Sequence, residues 1–390
     1  MQRLPSGVVA LGLVSLFMDM SSEMIHALLP LYLTGTLGAS ALLVGLIEGV
    51  GEATAQVTKL FSGYFSDRTG RRKPLAVLGY GLSALTKPLF ALAGSPALIL
   101  GARVADRLGK GIRGAPRDAL VADLTPPSQR GAAYGLRQSL DTVGAVAGPV
   151  LAVVLMIALN GDVPMIFAIS IIPAAIAVAV LVLFVREPVR MAPTVPAERI
   201  TRHSLSQLGP EVWTAIAIGS AMSLARISEA FMILRAGEAG LPLAYAPFVL
   251  VAMNLAYAVT AWPVGSLSDR IGKTRLLLLG FAVLVAADLA LGFGQGMAMI
   301  FAGVVLWGLH MGLTQGLLAA MVADATPAAL RGTAFGLFNL ATGFALLIGN
   351  GVAGAVWAFY GSAATFGLGA VVAGLALLAA LIWQRRQARP

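Results

Sequence analysis

The 390-residue sequence contains no cysteine, only three histidines and little charge, since Asp, Glu, Lys and Arg together make up 12%. The first absence removes disulfides, thiolate metal sites and cysteine nucleophiles. The histidines lie far apart, so His26 has no second histidine nearby to complete a metal site. Soluble domains carry about 25% charged residues, so the scarcity of charge excludes a soluble enzyme with a large core. No nucleophile–base constellation occurs either, and neither enzymatic activity nor a cofactor or metal is expected. Polar stretches are equally scarce: residues 186–210, with their prolines and mixed charges, form the one linker.

Apolar sequence fills the rest. Hydrophobic residues reach 58% and mean hydropathy is +0.85. A helix needs about 20 mostly apolar residues to cross a bilayer. Cutting the chain at its Gly, Pro and charge clusters predicts twelve such spans: 8–34, 41–65, 74–94, 96–121, 131–157, 164–185, 211–236, 243–267, 275–294, 297–322, 332–358 and 362–384. The first apolar stretch is too long for a signal peptide and lacks a small-residue cleavage pattern, so it is expected to remain as span 1. The linker divides the spans six and six, predicting bundles at 1–185 and 211–390. The net charge of +9 raises the question of nucleic acid. Its distribution answers it: Arg3, Arg68, Arg71, Arg72, Lys73, Arg130, Arg186, Arg190, Arg199, Arg202, Arg270, Lys273, Arg275, Arg331, Arg385, Arg386 and Arg389 fall in alternate loops or at the termini. By the positive-inside rule both termini are expected in the cytoplasm, and no nucleic-acid partner is expected.

Two phrases occur twice. Gly63 to Lys73 reads G-Y-F-S-D-R-T-G-R-R-K, and Gly265 to Arg275 reads G-S-L-S-D-R-I-G-K-T-R. Val121-Ala122-Asp123 with Thr125-Pro126, Arg130-Gly131 and Gly135 returns as Val322-Ala323-Asp324 with Thr326-Pro327, Arg331-Gly332 and Gly336. Two motifs repeating at nearly one offset imply a duplicated half-protein, the architecture of a secondary transporter.

The G-x-x-x-D-R-x-G-[RK]-x-[RK] phrases after spans 2 and 8 resemble the loop signature of the major facilitator superfamily (MFS), and the resemblance covers essentially the whole chain. Arg103, Asp106, Gly109 and Gly111 in span 4 resemble the family's R-x-x-Q-x-x-G-x-G pattern, with Asp106 in place of the usual glutamine. In span 5, Gly135, Gly144, Gly148 and Pro149 resemble a pattern associated with the drug:proton antiporters, although Ala152-Val153 replaces its closing glycine pair. The resemblance implies an all-α integral membrane protein of two six-helix bundles working by alternating access. It also implies a monomer and a cytoplasmic gate at Asp67 and Asp269, joined here by Gly63, Arg68, Asp123 and Arg270. The short loops suggest a bacterial inner membrane.

Ionisable groups at membrane depth are costly in hydrocarbon and mark solute or proton paths. Asp19, Glu23 and His26 share one face of span 1, since they lie at i, i+4 and i+7. With Glu52 of span 2 and Glu229 of span 7, Asp19 and Glu23 are the candidates for proton coupling. Span 4 carries Arg103, Asp106, Arg107, Lys110, Arg113 and Arg117 down one broad face. Guanidinium groups there can hold a carboxylate or phosphate in bidentate geometry. Arg113 and Arg117 are expected to join the gate network, and Arg103, Asp106, Arg107, Lys110 and His26 to contact solute. Arg226, Asn254, His310 and Gln315 are the solute-contact candidates of the second half, and Arg226 is placed to bridge Glu229. Two transport readings follow: proton-coupled antiport exporting a small organic molecule, or uptake or exchange of an organic anion on the span-4 cations. A receptor or lipid translocator would be expected to carry a large soluble domain or a lipid-side opening.

Overall fold

The computed structural model describes residues 4–187, 207–326 and 330–387; of residues 262, 265–270, 331 and 383–387 it describes the backbone. Among the described residues nine stretches are long and apolar enough to cross a membrane. The last of these, Gly332–Ile382, contains two helices, because Arg331–Gln387 is interrupted at Gly361, whose φ of +84° no helix accommodates. Two further helices, Ala41–Thr69 and Pro96–Leu124, have membrane length but are too polar to count as apolar stretches. These are the missing spans 2 and 4, and the tally of twelve is complete.

The remaining spans follow the predicted order. Span 1 is Ser6–His26, continued after a turn by Leu29–Leu31 and Tyr32–Thr36. Spans 3 and 5 are Arg72–Leu92 and Arg130–Ala158, and spans 8, 9 and 10 are Phe248–Ile271, Lys273–Phe293 and Gly296–Ala325. Spans 6 and 7, read from sequence as single helices, are each divided. Span 6 is Val163–Ile169 and Ile171–Phe184, with Pro173 withholding an N–H just past the junction. Ser21 of span 1 donates to the carbonyl of Ser170 there, at 2.6 Å. Span 7 is Pro210–Ala225 and Glu229–Glu238. Ser228 caps its second half by accepting from the N–H of Ala230, and Asn350 accepts from the N–H of Ser228 at 2.6 Å.

Burial runs opposite to that of a water-soluble protein. Leu92 and Phe359 are 79% and 77% exposed, whereas Lys87, Arg103 and Asp106 are 1%, 3% and 5% exposed. Apolar side chains face outward and charges inward, as a hydrocarbon solvent demands.

The described chain gathers into two compact units, drawn from 1–37, 50–199 and 243–247, and from 38–49, 200–242 and 248–390. The early part of span 2 thus groups with the second unit rather than with the predicted 1–185 bundle. Residues 188–206 of the predicted linker, with Arg190, Arg199 and Arg202, lie outside the described residues.

Both copies of the loop phrase turn on a glycine in the left-handed region, Gly70 (φ +66°) and Gly272 (φ +87°). In each copy the basic run meets the acid of the second repeated phrase. Arg72 pairs with Asp123 at 2.6 Å and also donates to the carbonyl of Ala119 at 2.6 Å, and Lys273 pairs with Asp324. The two repeats of the sequence are therefore two halves of one recurring contact.

Candidate functional site

In the first unit, spans 1, 2, 4 and 5 enclose a cavity of about 240 Å³ lined by Asp19, Glu23, Glu52, Ala55, Gln56, Lys59, Lys110, Gly111, Arg113, Gly114, Arg117, Asp118 and Asp141. Nine of these are charged, and the wall contains no aromatic or large aliphatic side chain. Helical periodicity explains the grouping. Glu52, Gln56 and Lys59 lie at i, i+4 and i+7 on span 2, and Lys110, Gly114, Arg117 and Asp118 repeat at similar spacing on span 4.

Behind this wall lies a locked ion network. Lys87 of span 3 donates to Asp106 of span 4 and to Ser22 of span 1, both at 3.1 Å. Thr86 reaches the same Asp106 oxygen at 3.5 Å. Close helix approach makes this possible: a side chain at Gly109 would meet the carbonyl of Gly79 at 2.7 Å and the amide of Ser83 at 2.9 Å. Arg107 pairs with Glu52 at 3.1 Å. Arg113 donates to Ser83 at 2.5 Å and lies over the Tyr80 ring, 4.8 Å from its centroid.

Among the cavity acids, Asp19 and Asp141 stand within hydrogen-bonding reach of each other, with Lys110 near both. Asp141 also meets Arg137 at 3.5 Å, Asp118 meets Arg117 at 3.0 Å, and Glu23 lies 3.7 Å from His26. Arg117 further donates to Ser15 of span 1 at 3.4 Å. By contrast, the ammonium groups of Lys59 and Lys110 make no hydrogen bond or close ion pair with any described residue.

Of the residues picked out by sequence, the cavity brings together Asp19, Glu23, Glu52, Lys110, Arg113 and Arg117. Arg103, Asp106 and Arg107 are buried outside its lining, and His26 reaches it only through Glu23. Arg113 and Arg117 contact spans 1 and 3 and their own neighbour Asp118, rather than the loop acid Asp67. Asp67 lies 3.7 Å from Arg72, Arg68 bonds Tyr64 of its own helix at 3.1 Å, and Gly63 faces Ala115 of span 4. The side chains of Asp269 and Arg270 lie outside the described residues.

The second-half candidates belong to the other unit. The expected bridge from Arg226 to Glu229 is not formed, because the helix breaks between them and Glu229 enters the first turn of the new segment. His310 is fully buried with its Nδ1 2.8 Å from the carbonyl of Gly280, Asn254 is buried, and Gln315 is half-buried. Arg235 donates to the carbonyls of Leu291 and Gly294 at 2.8 and 3.1 Å, closing the end of span 9.

Lys59, Gln56, Asp118 and Asp141 were not among the candidates. The helical spacing from Glu52 to Lys59 was the available signal on span 2. Ser228-Glu229, a capping residue followed by an acid, was the signal for the break in span 7.

Comparison with known proteins now adds to this geometry. The Major Facilitator Superfamily model matches residues 11–253 and 214–390. An uncharacterised MFS-type transporter of Methanocaldococcus jannaschii, MJ1317, is 32% identical over 396 residues, covering 97% of this chain and 95% of that protein. The multidrug resistance protein MdtH of Yersinia pestis is 37% identical over 115 residues, covering 30% of this chain and 28% of that protein. The solved nucleoside transporter NupG (D323A mutant) superposes with a TM-score of 0.80 at 13% identity, covering 96% of this chain and 99% of that one. A POT-family peptide transporter superposes at 0.81 and 14% identity, covering 98% of each. These likenesses indicate a transporter rather than an enzyme, embedded in a membrane by its helices. The chain belongs to the major facilitator superfamily.

Proposed function

We propose that this chain is a proton-coupled secondary transporter of a small charged organic solute, with the carboxyl groups of Asp19 and Asp141 carrying the proton. The observation that carries the reading is their mutual hydrogen-bonding reach on the wall of a charged cavity. Two carboxylates held together resist being ionised at once, and a pair holding one proton can release it when a neighbouring charge changes. Lys110, near both, is such a charge. Glu23 and Glu52 sit on the same wall but are engaged by His26 and Arg107, so we place them as secondary. The 186–210 linker, cytoplasmic termini, an inner-membrane location and a monomeric state remain part of this reading.

Two directions of coupling have support. The likeness to MdtH over part of the chain, and the span-5 glycines packed on span 1, favour antiport with export. The surplus cations of the cavity favour movement of an organic anion. The test uses proteoliposomes and whichever solute stabilises the purified protein in a thermal-shift screen of organic anions, cations and neutral compounds. Asp19→Asn and Asp141→Asn should still bind and exchange that solute but lose its accumulation under an imposed proton gradient. Full gradient-driven accumulation by both variants would remove the pair from the mechanism.

A further inference from the structure

We infer that Lys59 and Lys110 form an anion subsite on the cavity wall, which receives the carboxylate or phosphate group of the transported solute. The inference deepens the proposed function and rests on the cavity being the solute path. Lys59 was not singled out by sequence. Its aliphatic stem lies over span 4 at Gly114, where a glycine side chain would stand 3.9 Å from its Cγ, Cδ and Cε. Its charged neighbours are Lys110, Arg117, Asp118 and Arg137. Gly114 is one turn from Lys110, so two ammonium groups from different helices converge on one stretch of wall.

Each acid of the cavity has a partner: Asp19 has Asp141, Asp141 has Arg137, Asp118 has Arg117, Glu52 has Arg107, and Glu23 has His26. The two wall arginines are also engaged, Arg117 by Asp118 and Arg113 by Ser83 and Tyr80. Two like charges are thus held side by side facing open space, near acids but with no hydrogen bond or close ion pair to any described residue. An anion entering there gains charge-assisted hydrogen bonds without breaking any present pair. A lipophilic cation would find no apolar wall and two repelling ammonium groups.

Of the two directions given above, the arrangement favours co-transport. The charged groups around the Asp19–Asp141 pair are Glu23 of its own helix, Glu52 and Lys59 of span 2, Lys87 of span 3, Lys110, Arg113, Arg117 and Asp118 of span 4, and Arg137 of span 5; span 6 has none. A proton placed on the pair removes one negative charge beside Lys110 and leaves that lysine freer for the solute. Proton and anion therefore assist each other's binding and travel in the same direction.

The test measures stabilisation of the purified full-length protein by inorganic phosphate, succinate and tetraphenylphosphonium, at two pH values and constant ionic strength set with chloride. Phosphate or succinate should raise the melting temperature beyond chloride, more so at the lower pH. Lys59→Gln and Lys110→Gln should each weaken that binding about tenfold or more, as expected for loss of a charged hydrogen bond, and Lys59→Arg and Lys110→Arg should restore most of it. No stabilisation by either anion, stabilisation by tetraphenylphosphonium alone, or unchanged anion affinity in both glutamine variants would overturn the subsite. Asp19→Asn separates the two readings. If it leaves the pH dependence intact while the lysine variants lose binding, the proton pair fails and the subsite stands.

Discussion

The Lys87–Asp106 pair offers the sharpest energetic test. Its atoms are 3.1 Å apart, and the two residues are 1% and 5% exposed. Removing one member of a buried pair costs about 3–5 kcal/mol, because the survivor is left charged and unsolvated, whereas replacing both with apolar groups is often close to neutral. The surroundings make the two single variants unequal. Asp106 faces Lys87, Arg107, Arg113 and Arg103, of which Arg107 also pairs with Glu52 and Arg113 also donates to Ser83. Asp106→Asn leaves Lys87 buried without its carboxylate, takes a neighbouring negative charge from three arginines, and should fall at or above the upper end of that range. Lys87→Met leaves Asp106 three guanidinium neighbours and should fall at or below the lower end. The double variant Lys87→Met/Asp106→Leu should recover part of the loss, without matching the native protein, because three arginines still lose one neighbouring carboxylate. Thermal unfolding in nanodiscs, read by intrinsic fluorescence, gives the order of the four proteins. If Lys87→Met proved the more damaging single change, or if both singles melted with the native protein, the description of Asp106 as an acid shared by several cations would be wrong.

The glycines of span 5 should separate by position. A side chain at Gly148 would meet the carbonyl of Met20 at 2.5 Å and Cβ of Glu23 at 2.9 Å, whereas one at Gly135 meets nothing within 4 Å. Gly148→Leu should force spans 1 and 5 apart and abolish transport or folded yield, while Gly135→Ala should leave both unchanged; a tolerated Gly148→Leu would contradict the packing. At the loop signature, Arg72 is buried and bonded to Asp123 and Ala119, while Arg71 is exposed. Arg72→Ala should lose about 3–5 kcal/mol of stability, and Arg71→Ala should be indistinguishable from the native protein by melting temperature.

Fold and site were unequally legible in the sequence. Twelve spans could be read because length and hydropathy decide what crosses a bilayer, and the doubled phrases gave the duplication independently. Even spans 2 and 4, too polar to count as apolar stretches, were recovered from the punctuation around them. The division of span 7 was missed because Arg226-Ile227-Ser228 is short and its neighbours are apolar; only the cap at Ser228 betrays it. In the cavity, periodicity placed Asp19 and Glu23 on one face but could not identify their partner. The approach of Asp141 to Asp19 depends on how spans 1 and 5 pack. Lys59 shares its helical face with Glu52 and Gln56, a spacing that by itself does not say which helix it faces. Arg103, Asp106 and Arg107 are buried outside the lining of this cavity, and spacing along one helix does not say which neighbour such a face meets.

The charges of span 4 bear on how the chain is made. A basic or acidic residue at the centre of an inserting helix costs about 2.5–3.5 kcal/mol. Arg103, Asp106, Arg107, Lys110 and Arg113 crowd into the middle of a single helix, so that segment has no reason to leave the translocon for lipid by itself. What makes it acceptable is supplied by earlier segments: Lys87 and Ser83 from span 3 and Glu52 from span 2. All three have been synthesised by the time span 4 emerges. Span 4 is therefore expected to insert stably only when spans 2 and 3 precede it, which glycosylation mapping of truncated chains would check.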